Sequence, residues 1–161
     1  MKYRFFLSAA LLALMLDAAL LQSQQLTVQI ETGKQVVLTR SDIEALPHSK
    51  ITAGASDSST TFEGVALKAV LEKAGVTLGE SLKGPRLGLC LLVEAADGYR
   101  VVFALPEMDP AFTEKAILLA FLRNGKPLDD REGPYRIVIP DEKRMARWVR
   151  QVTTLKIVKV D

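Results

Sequence analysis

After residue 24, the pattern of hydrophobic and polar positions begins with two short alternating runs. Residues 26–30 (LTVQI) and 35–38 (QVVL) alternate apolar and polar side chains, and the polar stretch 31–34 separates them. Alternation with a period of two is typical of half-buried strands. The pattern therefore predicts a β-hairpin at the start of the domain.

The segment after this hairpin predicts a short helix and a polar loop. Thr39 or Ser41 can cap the helix, and Pro47 ends it. Residues 51–53 then predict an edge strand. Residues 54–59 are almost all small or polar, which indicates an exposed loop.

An amphipathic helix is predicted over residues 65–74, with Gly64 opening it. Its apolar face carries Val65, Leu67, Val70 and Leu71. Residues 87–105 then predict a second hairpin around an Asp-Gly turn. The unbroken apolar run at 87–93 indicates a strand that is covered on both faces.

The last third of the chain alternates turns with short apolar runs. In order, it predicts a turn at 106–112, a strand or short helix at 116–123, a loop between 124–125 and 133–134, a strand at 135–140, a short helix at 144–151 and a strand at 155–160.

The N-terminus has the three parts of a secretory signal peptide. Lys2 and Arg4 precede an apolar run at 5–16, and small and polar residues follow through residue 23. The run is shorter than the roughly twenty residues that span a bilayer. We therefore expect removal of residues 1–23 by the Sec route. One periplasmic or secreted domain, 24–161, would remain without a stable membrane anchor.

Composition narrows the class of protein further. The 161 residues include 21 Lys and Arg against 19 Asp and Glu, so the basic excess that a nucleic-acid partner requires is missing. A single cysteine excludes an intrachain disulfide. His48 is the only histidine, which excludes a multi-histidine metal site. The sequence predicts no metal site.

Several short motifs in one order give the chain a family resemblance. They are FEGVAL at 62–67, Asp-Gly-Tyr at 97–99, LLA at 118–120, NGKPL at 124–128, GPYRIVIP at 133–140 and Arg-Trp-Val at 147–149. Over residues 62–160 the chain resembles the molybdopterin-binding domain of sulfite-oxidase-like oxidoreductases. The resemblance implies an α+β fold of mixed β-sheets with short helices, and it makes a molybdopterin cofactor possible.

The chain departs from this family at one position. In those enzymes a protein cysteine before the FxGVxL motif binds the molybdenum beside the pterin dithiolene. Here residues 51–61 contain no cysteine, and Ser56, Ser58 or Ser59 would be a different donor. Cys90 lies downstream in an apolar run, where we expect a buried thiol that packs as a small hydrophobe.

The resemblance also nominates cofactor-binding residues. Tyr99 would border the cleft, and Arg136 matches the arginine of the GPxR motif. Guanidinium and ammonium groups near Trp148 would suit a phosphate-bearing tail. These groups belong to Lys143, Arg144 and Arg147. In the alternative interpretation, the helix charges are solvated and Arg136 fixes the loop by pairing with Asp129, Asp130 or Glu132.

Two functions from different classes fit these observations, and the sequence leaves open whether the protein is an enzyme. The missing cysteine and the signal peptide favour an exported, noncatalytic domain without a bound cofactor, which binds a small ligand or a periplasmic protein partner. The alternative is a minimal molybdopterin-dependent oxidoreductase, or a subunit of one. A third possibility is a subunit whose apolar edge strand, at 26–30 or 155–160, pairs with another chain.

Overall fold

Short strands dominate the structure. The computed structural model describes residues 24–54 and 59–160. The predicted signal peptide and the candidate ligands Ser56 and Ser58 lie outside the described residues. The strands are β1 Leu26–Gln29, β2 Gln35–Leu38, β3 His48–Ala53, β4 Thr60–Ala66, β5 Leu89–Ala95, β6 Arg100–Ala104, β7 Leu118–Arg123, β8 Lys126–Pro127, β9 Arg136–Val138 and β10 Val152–Lys159. The α-helices are α1 Arg40–Glu44 and α2 Leu67–Lys73.

The strands form two sheets. The first has the order β2-β1-β10-β5-β6, and the second has the order β3-β4-β7-β8, with β9 also pairing with β7. In the first sheet β1 runs parallel to β10 and antiparallel to β2, so that sheet is mixed. The predicted α+β fold with mixed sheets and short helices is confirmed.

Both sheets contribute to a single hydrophobic cluster. Its largest fully buried side chains come from β6, β7 and the start of the segment that leads into β9, and they are Phe103, Phe121 and Tyr135. Thr39 caps α1 with a capping box, because its side chain accepts from the Asp42 backbone N–H while Asp42 accepts from the Thr39 N–H. The hairpins predicted at 26–38 and 87–105, the edge strand and the Thr39 cap are confirmed.

The predicted start of the amphipathic helix is wrong. Gly64 and Val65 belong to β4, and α2 begins only at Leu67. A Cβ on Gly64 would lie 2.1 Å from the carbonyl oxygen of Leu119 and 2.6 Å from the Cα of Ala120. This glycine therefore allows β4 and β7 to approach closely, next to an irregularity in their register. It does not cap a helix.

The helix predicted at 144–151 is also wrong, because only a 3-10 turn forms, at Met145–Arg147. The chain then runs back along β9. The backbone N–H of Ile137 donates to the Val149 carbonyl at 2.8 Å, and the Trp148 indole N–H donates to the Ile139 carbonyl at 3.0 Å. These bonds hold residues 148–149 beside β9 and prevent the helix from continuing.

Three further predictions are wrong in the first sheet. β5 is not covered on both faces, since buried Leu91 and Val93 alternate with half-buried Leu92 and Cys90. Cys90 is therefore half-buried and lies on the outer face. The strands proposed as free edges, β1 and β10, each have neighbours on both sides.

No helix of residues 24–54 and 59–160 has the length and apolar character needed to cross a membrane.

Candidate functional site

A pocket of about 390 Å3 opens beside the second sheet. The small residues Ala53 and Gly54 contribute to its rim. Its larger lining side chains are Thr60, Phe62, Arg123, Glu132, Arg136, Met145 and Trp148. We call it the arginine pocket, because two guanidinium groups supply its positive charge.

Strand register brings these side chains together from distant parts of the chain. Phe62 on β4 pairs with Arg123 on β7, and Arg136 on β9 pairs with Ala120 on β7. The turn after Arg123 is fixed by Asn124, whose backbone N–H donates to the Thr61 carbonyl at 2.8 Å. The Asn124 side chain accepts from the Thr61 N–H at 3.0 Å. The NGKPL motif therefore holds Arg123 at the mouth of the pocket.

The loop before β9 supplies the only carboxylate among the described lining residues. Asp129 shapes this loop, because its Oδ1 accepts from the backbone N–H groups of Arg131 and Glu132. The N–H of Gln151 donates to the Glu132 carbonyl at 2.9 Å and fixes the backbone there. Of the three carboxylates considered for pairing with Arg136, the structure selects Glu132.

Two guanidinium groups share one oxygen of that carboxylate. Nη1 of Arg136 donates to Oε1 of Glu132 at 2.5 Å, and Nη1 of Arg123 donates to the same atom at 3.2 Å. The side chains of Arg136 and Glu132 are only 10% and 13% exposed, whereas that of Arg123 is 46% exposed. The pocket therefore carries a surplus positive charge.

The pKa of Arg136 is lowered, mainly by burial. Burial is the largest cause that lowers this pKa, the charge and hydrogen bond of Glu132 oppose it, and repulsion from Arg123 and Arg150 lowers it further. A guanidinium stays protonated in proteins, so the group remains a buried cation.

One edge of the Arg136 guanidinium has no hydrogen-bond partner among residues 24–54 and 59–160. Its Nε is buried without a hydrogen bond. Its Nη2 makes no hydrogen bond to any described residue and is not buried. A buried donor without a partner costs roughly 1–3 kcal/mol.

Aromatic rings hold the guanidinium in place. The Cζ of Arg136 lies 5.2 Å from the ring centroid of Phe62 and 5.5 Å from that of Trp148, within the range of cation–π attraction. The two rings meet edge to face, with centroids 5.9 Å apart. Phe62 and Trp148 thus fix the orientation of the charged group.

Tyr99 lies in a neighbouring pocket of about 240 Å3, and not in the arginine pocket itself. The two pockets share Met145 and Trp148. The Tyr99 hydroxyl donates to the Ala146 carbonyl at 2.8 Å, and its backbone N–H donates to Asp97 at 2.9 Å. Tyr99 is therefore held beside the segment that forms the shared wall.

The other basic residues predicted to bind a cofactor do not gather around Arg136. Lys143 and Arg144 are exposed and make no ion pair with any described residue. Arg147 bonds Glu142, and its Nη1 also lies 3.2 Å from Oε2 of Glu107. Of the five predicted residues, only Arg136 lines the arginine pocket.

The Arg147 contact perturbs Glu107. Burial, the largest single cause, would raise the pKa of Glu107, but the Ala104 backbone N–H, the hydrogen bond and charge of Arg147 and the charge of Lys115 together lower it. Lys115 and Arg147 also pair with Glu142, so this cluster is balanced in charge. It supports the fold beside the pocket and leaves no unpaired cation for an anion.

The donors around the arginine pocket do not fit the metal end of a molybdopterin cofactor. Among the described residues that line the pocket, Met145 is the only one with sulfur, and that sulfur is a thioether. Cys90 lies on β5 in the first sheet. The sequence of residues 55–58 contains no cysteine either. The described residues also contain no cluster of three or more His, Cys, Asp or Glu side chains suited to a metal.

Comparisons with known proteins agree with the fold. A chain of the sulfane dehydrogenase SoxCD from Paracoccus pantotrophus matches with a TM-score of 0.63 and 24% sequence identity, over 84% of this chain and 38% of that chain. The present chain thus spans well under half the length of that SoxCD chain, and the likeness shows the fold alone. No curated protein sequence matches.

The model of one protein family, described as the oxidoreductase molybdopterin binding domain, matches residues 15–161. The match covers most of the chain and confirms the resemblance seen in the motifs between residues 62 and 160. This chain belongs to the oxidoreductase molybdopterin-binding domain family.

Proposed function

We propose that this protein is an exported, noncatalytic member of its family that binds a small ligand in the arginine pocket. The observation that carries the proposal is the combination of a buried guanidinium with an unused donor edge and a pocket without a thiolate. The first feature suits ligand binding. Without a thiolate, the pocket lacks the protein ligand on which the family's metal chemistry depends.

Export rests on the signal-peptide pattern of residues 1–23. It gives a periplasmic or secreted protein without a stable membrane anchor. Intact-mass measurement of the protein recovered from the periplasm tests this proposal. We expect the mass of a chain that begins between residues 19 and 25. Recovery of the full-length mass would contradict export with cleavage.

The alternative is a minimal molybdopterin-dependent oxidoreductase, or a subunit of one, and family membership favours it. Metal analysis of protein purified from its native compartment separates the two functions. We expect molybdenum far below one equivalent and no pterin fluorescence after oxidation. Stoichiometric molybdenum with that fluorescence would contradict the noncatalytic proposal.

A protein partner would change the size of the complex. Size-exclusion chromatography of the mature protein with its periplasmic extract tests for one. We expect the mature chain to elute as an unbound small domain. Stable co-elution with another polypeptide would redirect the proposal from a small ligand to a protein.

A further inference from the structure

We propose that the arginine pocket binds a small organic carboxylate. The carboxylate engages the Nε–Nη2 edge of Arg136, and the apolar body of the ligand lies against Phe62, Met145 and Trp148. This inference rests on the proposed function, because it specifies the class of ligand for the same pocket.

The unused edge of Arg136 sets the geometry of the anion. Nη1 is occupied by Glu132, which leaves Nε and Nη2 as two neighbouring donors without a hydrogen-bond partner in the described part of the chain. Two parallel N–H groups match the two oxygens of one carboxylate. Nη2 is the more accessible donor, since Nε is buried. The carboxylate therefore meets Nη2 first, with Nε as the adjacent donor.

The charge of the pocket favours an anion over a neutral ligand. Arg123 and Arg136 share the single carboxylate of Glu132, and Arg150 adds its repulsion to Arg136. Arg150 lines the neighbouring pocket and makes no ion pair with any described residue. Together with Glu132, one added negative charge neutralises Arg123 and Arg136.

The size and walls of the pocket favour an organic ligand over an inorganic oxyanion. A volume of about 390 Å3 is at the lower end of small-molecule sites. A water molecule takes up about 30 Å3 in the liquid, so a small inorganic ion would leave most of the pocket to solvent. The rings of Phe62 and Trp148 line it, and the flexible, 54% exposed Met145 can shift to close over an apolar body.

Isothermal titration calorimetry with benzoate as the probe tests the proposal on the mature protein. We expect saturable binding of one benzoate, and at least ~10-fold weaker binding of benzamide, which has the same ring but no charge. Sulfate, phosphate and molybdate are titrated at matched ionic strength. Equal or tighter binding of any of these three ions, or of benzamide, would overturn the proposal.

Variants locate the binding. Arg136→Lys keeps the charge but removes the paired edge, and we expect it to weaken benzoate binding by ~10-fold or more. Arg123→Gln changes a more exposed side chain and provides a second test if Arg136→Lys folds poorly; we expect a several-fold loss. The control is Arg100→Lys, an exposed arginine that pairs with Glu94 on the other sheet. Unchanged binding in both pocket variants would overturn the proposal.

The proposed noncatalytic function and the assignment of a carboxylate ligand can be refuted separately. Stoichiometric molybdenum in the native protein would contradict the proposed function, whatever the carboxylate titrations give. A molybdenum-free protein that binds no benzoate would overturn the assignment of a carboxylate and leave the noncatalytic function standing.

Discussion

Gly64→Ala should destabilise the protein severely, although it adds a single methyl group. The new Cβ would lie 2.1 Å from the Leu119 carbonyl oxygen, whereas real Cβ contacts essentially never fall below 3.0 Å. The two backbones would have to separate by about 0.9 Å (3.0 − 2.1). Neighbouring strands lie only about 4.8 Å apart, so this shift strains the hydrogen bonds between β4 and β7.

Overpacking alone costs about 1–3 kcal/mol, and each weakened ladder bond adds about 1 kcal/mol. We therefore expect a loss of about 3 kcal/mol or more in the free energy of unfolding. Urea denaturation followed by fluorescence measures it, because Trp148 is the only tryptophan and is 6% exposed. With a urea slope of about 2 kcal/mol/M, the midpoint should fall by about 1.5 M.

Gly88→Ala is the matched control. A Cβ there would meet nothing closer than 4.0 Å, and its backbone does not require glycine. We expect a change within about 0.5 kcal/mol, or a small gain from reduced freedom of the unfolded chain. If Gly64→Ala and Gly88→Ala shifted the midpoint equally, the close approach of β4 and β7 would not be the reason for the glycine.

Three further predictions concern polar contacts. Burial raises the pKa of Tyr135 to about 12, so an ultraviolet titration should show one tyrosine that ionises near pH 12 and should lack this step in Tyr135→Phe. Because the folded state keeps this hydroxyl neutral, its contribution to the free energy of unfolding should be lost as the pH rises from 10 toward 12. Tyr135→Phe should also cost about 1 kcal/mol in urea, because the hydroxyl donates to the Gln24 carbonyl at 2.8 Å. Asn124→Ala should lower the free energy of unfolding by about 1–2 kcal/mol, and Asn124→Gly should lower it by less. Both variants lose the hydrogen bond from the Thr61 N–H, but only alanine is strained by the φ of +50° at this position. The lowered pKa of Glu107 means that its carboxylate stabilises the fold above pH 4.5. As the pH is lowered from 4.5, the free energy of unfolding should therefore decrease more steeply in the wild type than in Glu107→Gln.

Local sequence predicted both hairpins, because each pairs neighbouring stretches that a turn connects. Alternation specified the buried face of the first hairpin only. The parallel pairing of β1 with β10 joins the two ends of the chain, and no local pattern contains it. The sequence pattern places Gly64 at the start of a helix, because the apolar residues that follow it also fit a period of 3.6. The deciding contact is with the Leu119 backbone, more than fifty positions away in the chain.

The site was predictable in part. Arg136 follows from the GPxR motif, and a partner among the nearby carboxylates was expected. Arg123 was missed because it reads as the polar end of an apolar strand before an Asn-Gly turn. Its neighbour in the pocket, Phe62, lies on a strand that only the register of the sheet brings alongside. Pairings of this kind depend on long-range contacts.

The arginines favour the proposed ligand-binding role of the GPxR motif over a purely structural one. If Arg136 served only to fix the loop, one guanidinium for Glu132 would suffice, and a well-packed apolar pair would do as well or better. Instead, Arg123 adds a second guanidinium to the same oxygen, while Nε and Nη2 of Arg136 make no hydrogen bond to any residue that the structure describes. Surplus charge and unused donors destabilise a purely structural contact. A bound anion would account for both the surplus charge and the unused donors. Binding of such an anion does not require a thiolate ligand to molybdenum.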